Sequence, residues 1–104
     1  MSSDTSNLKT FFIKVYDFTD EEALSRRMAV RQQHIEGMKP VYGSGVLVTG
    51  GAILDDNGKM IGSALILKAE SKEAAIELMS NDVYATGRAW DMSTVDIVNY
   101  KPAF

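Results

Sequence analysis

The stretch Asp55-Asp56-Asn57-Gly58-Lys59 constrains the folding of this chain more than any other. It is dense in residues that favour tight turns and left-handed backbone, and it separates two β-prone runs, Val46–Leu54 and Met60–Ala69. A turn this short folds the two runs back on one another as an antiparallel pair. Inside the first run stand two consecutive glycines, Gly50 and Gly51. Within a strand such a pair marks either a bulge or a close approach of backbone to a ligand.

Around this hairpin the chain repeats one order. Thr10–Phe18 is β-branched and aromatic and reads as a strand. A long helix-forming segment follows, with Thr19 or Asp20 as its expected cap, Glu21 and Glu22 in its first turn, and Pro40 and Gly43 marking its end, with one further turn around Val41 and Tyr42. After the hairpin, Ser71–Asn81 opens with a serine cap and carries helical apolar spacing. Asp82–Ala89 is expected to be a helical turn and a loop, and Trp90–Tyr100 a last strand. The result is β-α-β-β-α-β, which predicts an α+β, ferredoxin-like domain: an antiparallel four-stranded sheet with both helices on one face. Residues 9–104 form this single domain, and residues 1–8 are expected to be a disordered tail.

The strands alternate poorly. In the third, Ile61, Leu65 and Leu67 share one face while Ala64 and Ile66 take the other. In the last, Trp90 and Met92 oppose Val95 and Ile97 unless a bulge changes the phase, and in the first Phe12 and Tyr16 oppose Phe11, Ile13 and Val15. Two apolar faces need two covers, and the helices supply one. The expected second cover is another copy of the sheet, giving a homodimer packed face to face.

Composition narrows the function. A net charge of −3 with scattered lysines offers no basic patch for nucleic acid. With no cysteine and one histidine, neither thiol catalysis nor a metal centre is expected, and no cofactor is called for. No apolar run approaches the roughly 20 residues that span a membrane, and the polar N-terminus lacks a signal-peptide core, so the expected location is the cytoplasm.

The first helix carries the chemistry. At roughly 100° per residue, Ala23, Leu24, Met28, Val30, Ile35, Met38, Val41 and Tyr42 collect on one arc, and Glu21, Glu22, Ser25, Arg26, Gln32, Gln33, Glu36 and Lys39 on the other. Arg27, Arg31 and His34, spaced i, i+4 and i+7, fall inside the apolar arc, whereas Arg26 reads as an ordinary solvated residue. Three readings compete: arginines that cover apolar surface with their stems and reach water with their heads, a hydrogen-bonded core histidine, or a cation-lined cleft for an anionic or polar ligand. Desolvating three such groups together is costly without compensation, which favours the cleft. Asp82 is the leading carboxylate partner for His34, with a helix N-cap as its alternative role. A carboxylate on one imidazole nitrogen fixes the tautomer and leaves the other nitrogen free for proton transfer. Tyr84 and Trp90 are candidates for a cavity wall, or for core.

These residues resemble the YciI-like, or YCII-related, family of small proteins. The resemblance runs over nearly the whole chain. Arg31-Gln32-Gln33-His34-Ile35 is similar to the family's Arg-x-x-His-Leu run, Arg27 to an arginine one turn earlier, Gly50 to a glycine after the second strand, and Asp82-Val83-Tyr84 to an Asp-Pro-Tyr/Phe run. Gly51 stands where a proline is common, and Val83 replaces the proline of Asp-Pro-Tyr. The resemblance implies a dimeric α/β barrel and a His34–Asp82 catalytic dyad in a cleft. Arg27, Arg31, Gly50, Gly51, Tyr84 and Trp90 are then the expected substrate-binding set. It implies a cofactor-independent enzyme of lyase, dehydrochlorinase or isomerase type acting on a small polar or aromatic metabolite, with a non-catalytic binding or accessory protein as the alternative.

Overall fold

A computed structural model describes residues 7–104; of the expected N-terminal tail, residues 1–6 lie outside the described residues. The elements run β1 (Lys9–Asp17), α1 (Ala23–Gly43), β2 (Leu47–Leu54), β3 (Met60–Ala69), α2 (Lys72–Ser80), α3 (Val83–Thr86) and β4 (Trp90–Asn99). The strands form one antiparallel sheet in the order β2-β3-β1-β4, the ferredoxin-like α+β arrangement with its helices on one face.

The hairpin forms as its residues require. The Gly58 N–H donates to the Asp55 carbonyl, and Asp55 Oδ1 accepts from the N–H groups of Asn57 and Lys59. Gly58 sits at φ +82°, where a glycine carries no steric penalty.

The core lies between sheet and helices. Phe11, Ile13 and Val15 alternate inward along β1, and Leu65, Leu67 and Ala69 along β3. Ala75 and Met79 of α2 close over them. Gly62 permits the β1–β3 contact, because a Cβ there would stand 2.5 Å from the Val15 carbonyl oxygen.

Several local expectations are corrected. Neither Thr19 nor Asp20 caps α1, which starts later, at Ala23, behind Glu22, and has no acidic residue in its first turn. Asp20 instead pairs with Arg26, both guanidinium ends lying 2.7 Å from its carboxylate oxygens, and Arg26 Nε donates to the Arg88 carbonyl. Arg26 is therefore an anchor to the turn before β4 rather than a free surface residue. At its other end α1 closes as expected, with Val41 and Tyr42 in one further turn past Pro40. The helix runs on to Gly43, and the Ser44 N–H closes the last turn on the Pro40 carbonyl. Proline removes one donor, but so near the C-terminus the helix tolerates the loss. Leu24, Met28 and Tyr42, assigned to the inward arc, are exposed.

β4 changes phase. The β1–β4 register jumps from Lys14↔Asp96 to Tyr16↔Asp91. Thr94 Oγ1 fills the gap in the ladder by accepting from the Tyr16 N–H at 2.8 Å. The bulge puts Met92, Val95 and Ile97 all against the core with Trp90, so Val95 and Ile97 do not face away. The opposite sheet face still carries Phe12, Tyr16, Ile66 and Val98, with Lys14 and Asp96 facing each other in register among them.

Candidate active site

A cleft of about 400 Å³ opens between α1 and the β2–β3 half of the sheet. Its size falls in the lower part of the range of small-molecule sites, about 300–1,000 Å³. Arg27, Arg31, His34, Gly50, Gly51 and Tyr84 line it; Asp82 and Trp90 do not, and stand one layer behind.

Asp82 lies just past α2, where the chain turns into α3. It caps that short helix, its Oδ1 accepting from the Tyr84 N–H at 2.8 Å. The same carboxylate meets His34 Nδ1 at 2.8 and 2.9 Å. Both roles foreseen for Asp82 are thus filled at once: the cap orients the carboxylate, and the carboxylate orients the imidazole. An ionised carboxylate accepts only, so Nδ1 is the donor to it, and in the neutral imidazole Nε2 is then the nitrogen with a free lone pair.

Tyr84 is buried and stacks on His34, ring centroids 3.9 Å apart and planes 17° from parallel. The Arg27 guanidinium lies over the Tyr84 ring, 4.5 Å from its centroid. The imidazole already covers one face, so the guanidinium takes the other, and the phenol ring is sandwiched between residues two helical turns apart on α1. Burial pushes the Tyr84 hydroxyl above its ordinary value, against the pull of Arg27 and Arg31. It therefore stays a neutral donor.

Arg27 is held from below. Its Nη1 donates to both Asp17 oxygens at 3.0 and 3.1 Å, and its Nη2 to Ser63 Oγ at 3.0 Å. Trp90 Nε1 donates to the same Ser63 oxygen at 3.0 Å. Trp90 is thus a brace, edge-on to both His34 and Tyr84, rather than a wall. Arg27 does not reach water with its head, as it is only 2% exposed. Burial raises the Asp17 carboxyl above its ordinary value more strongly than Arg27 lowers it.

Asp17 and Ser63 were not singled out from sequence, yet a signal exists. Asp17 continues the inward phase of Phe11, Ile13 and Val15, and Ser63 that of Leu65 and Leu67. A polar residue in phase with the core needs a partner.

The glycines differ. A Cβ on Gly50 would stand 2.7 Å from Leu65 Cδ2, whereas one on Gly51 would meet nothing within 4 Å. Gly50 thus keeps the cleft floor open. Among the described residues no group of three His, Cys, Asp or Glu side chains converges to hold a metal, and no helix is long and apolar enough to cross a membrane.

Known proteins are similar to this chain in sequence or fold. Over 84 residues the chain is 33% identical to the derivative of benzaldehyde biosynthesis cluster protein C of Emericella nidulans, covering 69% of this chain and 86% of that protein. It is 26% identical over 102 residues to fusaric acid biosynthesis protein 2 of Gibberella moniliformis, covering 92% and 96% respectively. Its fold is similar to that of the 5-chloro-2-hydroxyhydroquinone dehydrochlorinase of Burkholderia phenoliruptrix, solved in complex with 2,5-dihydroxybenzoquinone. The TM-score is 0.72 at 23% identity, over 88% of this chain and 93% of that one. The YCII-related domain matches residues 11–97, and the chain belongs to that family.

Proposed function

We propose that this protein is a cofactor-independent enzyme that moves protons on a small polar or aromatic metabolite, by lyase, dehydrochlorinase or isomerase chemistry. The observation that carries the reading is the His34–Asp82 pair at the edge of the cleft. Asp82 holds Nδ1, so Nε2 takes a proton from a substrate O–H or C–H and returns it at another atom. Positive charge from the arginines on the same wall favours an oxyanion forming beside it. The fold of the dehydrochlorinase and the biosynthetic relatives support an aromatic or enolic substrate.

The test is turnover of 5-chloro-2-hydroxyhydroquinone and related hydroxylated rings by wild type, His34→Gln and Asp82→Asn. We expect His34→Gln to abolish turnover with the fold intact, and Asp82→Asn to lower turnover by about 10²–10⁴. Turnover that survives His34→Gln would overturn the mechanism. The cations on the cleft wall also support a second reading, a non-catalytic binding or accessory protein. Under that reading a ligand saturates the cleft without being converted, and replacing His34 has little effect on any reaction.

We further propose that two copies pair through the sheet face opposite the helices. The exposed apolar side chains of Tyr16 and Val98 on that face, beside Phe12 and Ile66, support this.

A further inference from the structure

The charged side chains on the cleft wall are not equivalent. Arg27, Arg31, His34 and Lys39 line it, and no carboxylate does. Arg27 is engaged at both terminal nitrogens, by Asp17 and by Ser63, and its plane lies on Tyr84. Only its Nε lacks a partner, and that atom is sealed from solvent. Lys39 is paired with Glu36 at 3.2 Å. Asp82, the carboxylate behind the wall, is engaged with His34 Nδ1 and the Tyr84 N–H. Arg31 is different. It is half-buried, lines the cleft one turn before His34 on the same helix face, and makes no hydrogen bond or ion pair with any described residue.

We infer that Arg31 is the anion hook of the cleft, that Arg27 is a fixed structural cation, and that the ligand is a small planar molecule bearing a single carboxylate, phenolate or enolate. The inference rests on the cleft being a ligand site, as proposed above. A half-buried guanidinium without a counter-charge is costly to hold, and an anion compensates it through a charge-assisted, bidentate contact. Arg27 cannot serve in this way without abandoning Asp17. Planarity follows from the rest of the wall. Gly50 leaves the floor without a side chain, and Leu47 and Leu65 of the sheet and Ile35 and Met38 of α1 face one another across the space. A flat ring fills such a slot.

The test is calorimetric titration with a matched pair of probes, 2,4-dihydroxybenzoate and 2,4-dihydroxybenzamide, which share a shape and differ in charge. Wild type should bind the benzoate tighter by on the order of tenfold or more. Arg31→Gln should erase that preference, so that benzoate and benzamide bind alike. Arg31→Lys should keep part of it. His34→Gln should keep all of it, so failure of anion recognition is separable from failure of the proton-transfer reading. Equal affinity of wild type for both probes, no saturable binding of either at millimolar concentration, or a preference that survives Arg31→Gln would overturn the inference.

Discussion

His34 lies flat on Tyr84, the two ring centroids 3.9 Å apart, while its Nδ1 is tied to the carboxylate two residues before that tyrosine. One short turn, Asp82-Val83-Tyr84, therefore fixes the imidazole twice, by hydrogen bond at the ring edge and by stacking on the ring face. The arrangement leaves the ring little freedom except to present Nε2, which is what a proton-transfer group requires.

The stack makes Tyr84 more important for its ring than for its hydroxyl, which makes no hydrogen bond with any described residue. Tyr84→Phe should change stability by less than about 1 kcal/mol, and Tyr84→Ala should cost about 3–5 kcal/mol through the cavity it leaves. Urea denaturation of the three proteins measures both. A loss with phenylalanine as large as that with alanine would mean that the hydroxyl is anchored.

The buried pair below predicts strong coupling. Asp17→Ala leaves the Arg27 guanidinium buried without its partner and should cost about 3–5 kcal/mol. Arg27→Met combined with Asp17→Ala should cost less than the sum of the single changes, because the double variant buries no unpaired charge. A double-mutant cycle in denaturant that came out additive would contradict the network described.

The two acids near α1 should respond to pH with opposite sign. The Arg26 guanidinium pulls Asp20 down from 3.8 to about 2. A carboxyl lowered in the folded state stabilises above its unfolded value, and that contribution disappears as pH falls from about 4 through about 2. Asp17 is raised, so the folded protein takes up its proton more readily than the unfolded chain does. Its contribution is fully present below its ordinary value and is lost as pH rises through the raised one. Denaturation midpoints between pH 4.5 and 2 should fall less steeply in Asp20→Asn than in wild type, and more steeply in Asp17→Asn. The reverse order would contradict the assignment.

The sheet face away from the helices predicts association. Ile66 pairs with Phe12 in the β1–β3 register on that face. Ile66→Lys should yield a monomer by sedimentation equilibrium where wild type is a dimer, with the helix content unchanged. A monomeric wild type at micromolar concentration would remove the need for a second cover.

Much of this protein is written locally. The Asp55–Lys59 turn, the serine cap of α2 and the β-branched and aromatic run of β1 determine the elements and their order, because each depends on residues within a few positions of one another. The inward stripe of Arg27, Arg31 and His34 is likewise a property of helical spacing, and the family resemblance pointed from His34 to Asp82. Tertiary structure decided which charge answers which. Asp17 reaches Arg27 only because α1 folds back across the end of β1. Ser63 joins them because the β1–β3 register sets it opposite Val15, two residues before Asp17. The bulge in β4 turned Val95 and Ile97 into the core, and a bulge depends on the partner strand, not on the strand's own pattern. The difference between a compensated Arg27 and an open Arg31, one helical turn apart, comes from the same cause. Local sequence places side chains on a face, but only the packing of distant strands supplies their counter-charges.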